Sequence, residues 1–92
     1  MQRRYRSRVG ILFDILKAIK DLEGAPITVI ITYANIPHDR LKKILKKLVE
    51  EGYVEKIEIK NRTIYRLTIA GFSLYEELER MKKTLEGLGL EL

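Results

Sequence analysis

The chain has no cysteine, no tryptophan and one histidine in 92 residues. Without cysteine there is no disulfide and no thiolate metal site, a composition that fits an intracellular protein. The single histidine, His38, has no second imidazole with which to complete a metal site or a nucleophile–base pair. Ser7 and Ser73 have no base near them in sequence. The six glycines are scattered and form no phosphate-cradling loop. These absences predict no enzyme activity, no metal, no cofactor and no small-molecule ligand. There is also no apolar run long enough to cross a bilayer, and the basic N-terminus lacks the apolar segment of a signal peptide.

What is present is a charged, globular composition: 46% hydrophobic and 34% charged residues, with a net charge of +5. The length suits one small domain with a single core. High charge, an Ile/Leu-rich core and the lack of cysteine match thermophile tendencies. The charge is uneven. Residues 1–68 carry 15 Lys/Arg against 8 Asp/Glu, whereas residues 69–92 carry 3 against 5. A basic body with a mildly acidic tail points to a polyanionic partner, although charge alone is equally compatible with solubility.

The basic charge is densest between His38 and Lys47. From Ile36 to Val49 the spacing of Leu41, Ile44, Leu45, Leu48 and Val49 predicts a helix with one apolar face. Arg40, Lys42, Lys43, Lys46 and Lys47 fall outside that face. Pro37 suits a first helical position, and Gly52 suits a left-handed cap after the last turn. Such a helix can pack on a core while presenting cations outward.

Upstream, residues 1–7 form a basic arm carrying Arg3, Arg4 and Arg6. Ser7 is a plausible N-cap for a helix over Arg8–Glu23. That helix is apolar around much of its circumference, so it is expected to bury two sides: one in its own core and the other, through Ile11 and Ile15, in a dimer interface. Gly24 and Pro26 end it. Ile27–Tyr33 is β-branched and reads almost equally as strand or helix. Ala34-Asn35-Ile36-Pro37 reads as a turn, with Asn35 tolerant of the left-handed region. A turn followed by a basic helix tips the segment Thr28–Ala34 toward a short helix, which makes a helix-turn-helix pattern. After Gly52 the period changes to two. Tyr53–Ile59 and Thr63–Leu67 predict a hairpin whose tip is Lys60-Asn61-Arg62. Thr68 is a plausible N-cap for a last helix over about Ile69–Glu86. Leu74, Leu78, Met81, Leu85 and Leu88 recur there at coiled-coil spacing and predict self-association.

Five stretches carry a family likeness: Phe13–Ile19, Tyr33-Ala34-Asn35-Ile36, Leu41-Lys42-Lys43, Leu48–Glu55 and Tyr65–Gly71. In this order they resemble the small archaeal winged helix-turn-helix DNA-binding proteins, the ten-kilodalton chromatin-type dimers and related archaeal viral regulators. The likeness covers roughly residues 8 to 80. It implies an α+β, mostly helical fold: a winged helix-turn-helix over residues 8–68 with a long C-terminal dimerisation helix over 69–92. It also implies a homodimer on double-stranded DNA, cytoplasmic and nucleoid-associated, in an archaeon or an archaeal virus. The chain departs from the family's pattern in a terminal helix that stops near Leu88 and in a wing without glycine.

In a helix-turn-helix the start of the second helix meets base edges in the major groove. This places His38, Asp39, Arg40, Lys42, Lys43, Lys46 and Lys47 near DNA, with Arg40 suited to guanine and the lysines to phosphate. Asp39 is expected to cap the helix or to hold Arg40. Lys60, Asn61 and Arg62 at the hairpin tip are expected on the flanking backbone or in the minor groove. Arg3, Arg4 and Arg6 are the third candidate contact. The rival reading is a winged helix that docks an acidic protein partner. A membrane-surface role is disfavoured because the core already needs the basic helix's apolar face.

Overall fold

The computed structural model describes residues 6–92. Arg8–Asp21 forms α1, Ile27–Ala34 α2, His38–Glu50 α3, Val54–Ile59 β1, Arg62–Leu67 β2 and Ile69–Gly87 α4. Helix α1 starts where Ser7 accepts a hydrogen bond from the Gly10 N–H at 2.9 Å. It unwinds through Glu23 and Gly24, both at positive φ. Ala25 then exchanges two backbone hydrogen bonds with Tyr65, so a single bridged residue pairs with β2 on the edge away from β1.

The ambiguous Ile27–Tyr33 stretch is helical. Ile30 and Ala34, four residues apart, are buried, and Ile27 and Ile31 pack beside them. Burial of that stripe outweighs the β-branched propensity, which is worth only fractions of a kcal/mol per residue. Asn35 caps α2 in the left-handed region at φ 54°, and its N–H bonds to the Ile31 carbonyl.

Pro37 is the N-cap of α3 rather than its first helical residue. The helix ends in a Schellman arrangement. Gly52 sits at φ 82°, its N–H bonds to the Val49 carbonyl, and the Tyr53 N–H bonds to the Leu48 carbonyl.

Strands β1 and β2 pair antiparallel from Val54↔Leu67 to Ile59↔Arg62. Arg62 therefore belongs to β2, and the turn is the two residues Lys60-Asn61, at φ 50° and 64°. Two consecutive positive φ values mark the type I′ loop, whose twist matches that of the strands. Thr68 ties the hairpin to both neighbouring helices. Its hydroxyl donates to the Gly52 carbonyl at 2.6 Å and accepts from the Gly71 N–H at 3.1 Å.

Helix α1 is the centre of the core. Ile11, Phe13, Ile15, Leu16, Ala18 and Ile19 are all buried, and α2, α4 and β2 pack around it. This corrects the expectation that Ile11 and Ile15 serve a dimer interface. At 5% and 0% exposure they have no surface left to offer, because the chain's own core covers them. The second apolar side of α1 is covered by α4, where Phe13 stacks on Tyr75 with ring centroids 5.3 Å apart. At the far end of α1, Asp21 accepts hydrogen bonds from Lys17 Nζ at 2.6 Å and from the Tyr33 hydroxyl at 2.7 Å. These bonds, that from Lys17 foremost, hold the Asp21 carboxyl down at about 2.

Helix α4 passes close against the body at Gly71, where an added Cβ would lie 2.0 Å from the Tyr53 carbonyl oxygen. Replacing Gly71 with Ala is therefore expected to lower stability by about 1–3 kcal/mol through overpacking against backbone. Urea unfolding of G71A beside wild type measures this; equal midpoints would show that α4 moves off the hairpin at no cost.

Candidate nucleic-acid interface

The site is built on α3. Leu41, Leu45 and Leu48 are buried, with Ile44 and Val49 partly covered beside them. Burial of each leucine contributes up to about 1.5–3 kcal/mol, so the helix cannot roll about its axis without a large loss. That fixed rotation turns His38, Asp39, Arg40, Lys42, Lys43, Lys46 and Lys47 outward, and all seven are exposed.

The cations on this face are unneutralised. Among the described residues the ion pairs are Arg6–Asp14, Lys17–Asp21, Lys20–Asp21, Arg66–Glu55 and a 3.5 Å contact between His38 Nδ1 and Asp39. None involves Arg40, the α3 lysines, Lys60 or Arg62. Asp39, expected to cap α3 or steer Arg40, does neither. The N-cap has no side-chain hydrogen bond, and the partner of Asp39 is His38. Its carboxylate still sits in the first turn, where the helix dipole favours it.

Two clefts flank α3. One, of about 650 Å³, separates it from the hairpin and is lined by Lys42, Lys43, Lys46 and Lys56 over Val49 and Tyr65, with Asp39 and Glu50 at its edge. A neighbouring depression brings Arg62 together with His38, Lys42 and Lys56. The other cleft, of about 570 Å³, lies toward the start of α1, with Arg8, Arg40, Lys43 and Lys47 around an apolar floor. Lys56 and Arg8 were not among the sequence candidates. Lys56 shares a hairpin face with Tyr65, its register partner, a pairing set by the two-residue turn and not by the three-residue tip expected from the sequence. Only the packing of the hairpin on the helices carries that face to α3. Arg8 carries no signal beyond its charge.

The hairpin's own acids are occupied. Glu58 accepts from the Thr63 hydroxyl at 2.9 Å, and Glu55 accepts from Arg66 Nε at 2.9 Å. The tip is left cationic through Lys60 and Arg62, beside a half-exposed Ile59. Of the basic arm, Arg3 and Arg4 lie outside the described residues. Arg6 corrects the expectation of a free arm. Its guanidinium bonds to the Asp14 carboxylate at 2.7 Å and to the Ala34 and Asn35 carbonyls at 2.7 and 2.6 Å, so it is anchored to the body.

Lys60 stands in the left-handed region, which costs a side chain with a Cβ and no local hydrogen-bonding group roughly 1–2 kcal/mol. Asn relieves that strain. Lys60→Asn is expected to raise stability by roughly 0.5–1 kcal/mol. Thermal melts of the variant check this, and a lower melting temperature would show that Lys60 is there for the fold.

Comparison with known proteins gives three kinds of result. A family model described as winged helix-turn-helix matches residues 5–86. No curated protein matches the chain. Among solved structures, Sso10a-2, a DNA-binding protein from Sulfolobus solfataricus, is 31% identical with a TM-score of 0.81, over 90% of this chain and 85% of that one. A mutant of Escherichia coli MarR in complex with operator DNA is 21% identical with a TM-score of 0.67, over 74% of this chain and 51% of its own. Bordetella bronchiseptica BpsR, whose DNA binding is regulated by 6-hydroxynicotinic acid, is 18% identical with a TM-score of 0.70, over 74% and 50%. The chain thus spans about half the length of the last two, and their likeness is one of fold.

Proposed function

The chain belongs to the winged helix-turn-helix family, and from that premise we propose that it is a non-enzymatic, homodimeric protein of double-stranded DNA, a transcriptional regulator or nucleoid-associated protein of the cytoplasm. The observation that carries the reading is the row of unpaired cations held outward on α3 by Leu41, Leu45 and Leu48. The 31% identical Sso10a-2, over 90% of this chain, supports it.

In this reading α3 enters the major groove. Arg40 and the lysines meet its walls, and the flanking clefts accept the sugar-phosphate ridges on either side. The hairpin lies along the neighbouring backbone, with Lys60 and Arg62 toward the minor groove. The strain at Lys60 supports this placement. A tip under selection for stability alone would hold Asn or Gly there, so a lysine argues for a charge needed at that point. Lysines outnumber side chains suited to reading bases, which favours backbone contact over sequence recognition.

If about six phosphates are neutralised per protomer, log K falls with log salt at a slope near −5 per protomer and about twice that per dimer. The Lys43→Glu, Lys47→Glu double variant is expected to lose duplex binding by at least about tenfold while keeping its fold, since both side chains are exposed. Titration of a labelled duplex at two salt concentrations, with circular dichroism as the folding control, tests both. Salt-insensitive binding, or a double variant that binds as wild type does, refutes the reading.

The dimer rests on α4. Leu74 and Leu78 pack partly on the chain's own core, whereas Met81 and Leu88 are 52% and 70% exposed. Leu74, Met81 and Leu88 recur every seven residues, with Leu78 and Leu85 alongside, which is the seam of a helix pair. The Met81→Glu, Leu88→Glu variant is expected to sediment as a monomer where wild type sediments as a dimer. Two recognition helices on one duplex face then lie about 34 Å apart or a multiple of it, so dissociation weakens DNA binding in step. A wild-type monomer at micromolar concentration would remove the dimer from the proposal.

A further inference from the structure

Arg6 does something that an arm residue need not do: it closes the end of a helix that is not its own. Ala34 is the last residue of α2 and Asn35 its left-handed cap. The carbonyls at a helix C-terminus lack intrahelical partners and carry the negative end of its dipole. Arg6 Nη1 donates to the Ala34 carbonyl at 2.7 Å and Nη2 to the Asn35 carbonyl at 2.6 Å. Nη1 also donates to the Asp14 carboxylate of α1 at 2.7 Å. One planar group thus joins three oxygens from two elements, an arrangement that the fork of a guanidinium fits and a lysine ammonium does not.

The place is significant because Asn35-Ile36-Pro37 is all that separates α2 from α3. Ile36 is buried, and its N–H bonds to the Ile31 carbonyl at 3.3 Å. The turn is therefore held from the core side by Ile36 and from outside by Arg6. We propose that Arg6 is a positioning residue: with Asp14 as its anchor it clasps the turn of the helix-turn-helix and sets the angle at which α3 is presented to DNA. This positioning role rests on the DNA-binding reading; the clasp itself does not. Arg6 and Asp14 are each about one-third exposed, so as a bare ion pair they would contribute little, and the effect lies in the two carbonyl bonds.

The clasp and a phosphate contact by Arg6 predict opposite results. If Arg6 clasps the turn, Arg6→Ala, Arg6→Lys and Asp14→Ala all speed amide hydrogen exchange over residues 35–41 while exchange in the β1–β2 hairpin stays unchanged. All three also weaken duplex binding by about 3- to 10-fold, because the competent angle is populated less of the time. The salt slope stays as in wild type, since no phosphate contact is lost. If Arg6 instead met phosphate, Arg6→Ala would make the slope shallower by about 0.9, Arg6→Lys would behave as wild type, and Asp14→Ala, which removes a negative charge, would tighten binding. That pattern, or unaltered exchange over 35–41 in Arg6→Ala, overturns the proposal. The exchange measurement needs no DNA. If wild type fails to bind duplex, the functional reading and the positioning role fall together, while the clasp stands or falls on exchange alone.

Discussion

Three leucines determine what this surface is. With Leu41, Leu45 and Leu48 in the core, α3 has one rotation about its axis, and the outward placement of its seven exposed polar residues from His38 to Lys47 follows from that rotation. Each cation on the helix would be well solvated in any orientation, so charge alone gives it no direction. The cost of exposing the leucines turns a run of lysines into a face. Both ends of the helix are then secured. The Schellman cap at Gly52 closes one end, and Thr68 bonds to the Gly52 carbonyl while capping α4. At the other end, the buried Ile36 and the left-handed Asn35 define the turn. Such fixation suits the groove contact proposed for α3, because ordering the helix only on binding would reduce affinity.

The hairpin and α4 build outward from the same core with different chemistry. On the hairpin, Glu55 is ion-paired with Arg66 and Glu58 is held by the neutral Thr63 hydroxyl, while Lys56, Lys60 and Arg62 have no ion-pair partner among the described residues. The net positive field of the body comes from its excess of cations, 15 Lys/Arg against 8 Asp/Glu over residues 1–68. Along α4 the apolar residues divide by burial. Gly71 and Tyr75 are buried and Leu78 partly so, while Met81 and, at the cap that follows the helix, Leu88 are exposed. Residues 69–92 carry 3 Lys/Arg against 5 Asp/Glu, so that segment adds no net positive potential of its own.

Local rules made much of this readable before any coordinates. Ser7 and Thr68 cap the helices expected of them, Gly52 and Asn35 adopt the left-handed region, and the change from a helical to a two-residue period marks where the hairpin begins. Each of these depends on residues within a few positions of one another. Ile27–Tyr33 was legible only through its context. Its β-branched side chains favour a strand, and burial of Ile30 and Ala34 made it a helix.

The amino-acid order by itself determined the elements, the faces of α3 and the sign of its surface, because periodicity and charge are properties of neighbours along the chain. Tertiary structure alone decided which covered face is covered by what. Ile11 and Ile15 read as surplus apolar surface and proved to be core. Arg6 read as a solvated arm and is tied to carbonyls 28 and 29 residues away. Lys56 joined the α3 lysines across a cleft. No pattern in a single strand of text encodes such meetings, since they depend on how distant segments exclude water together, and that is settled only when the whole core closes.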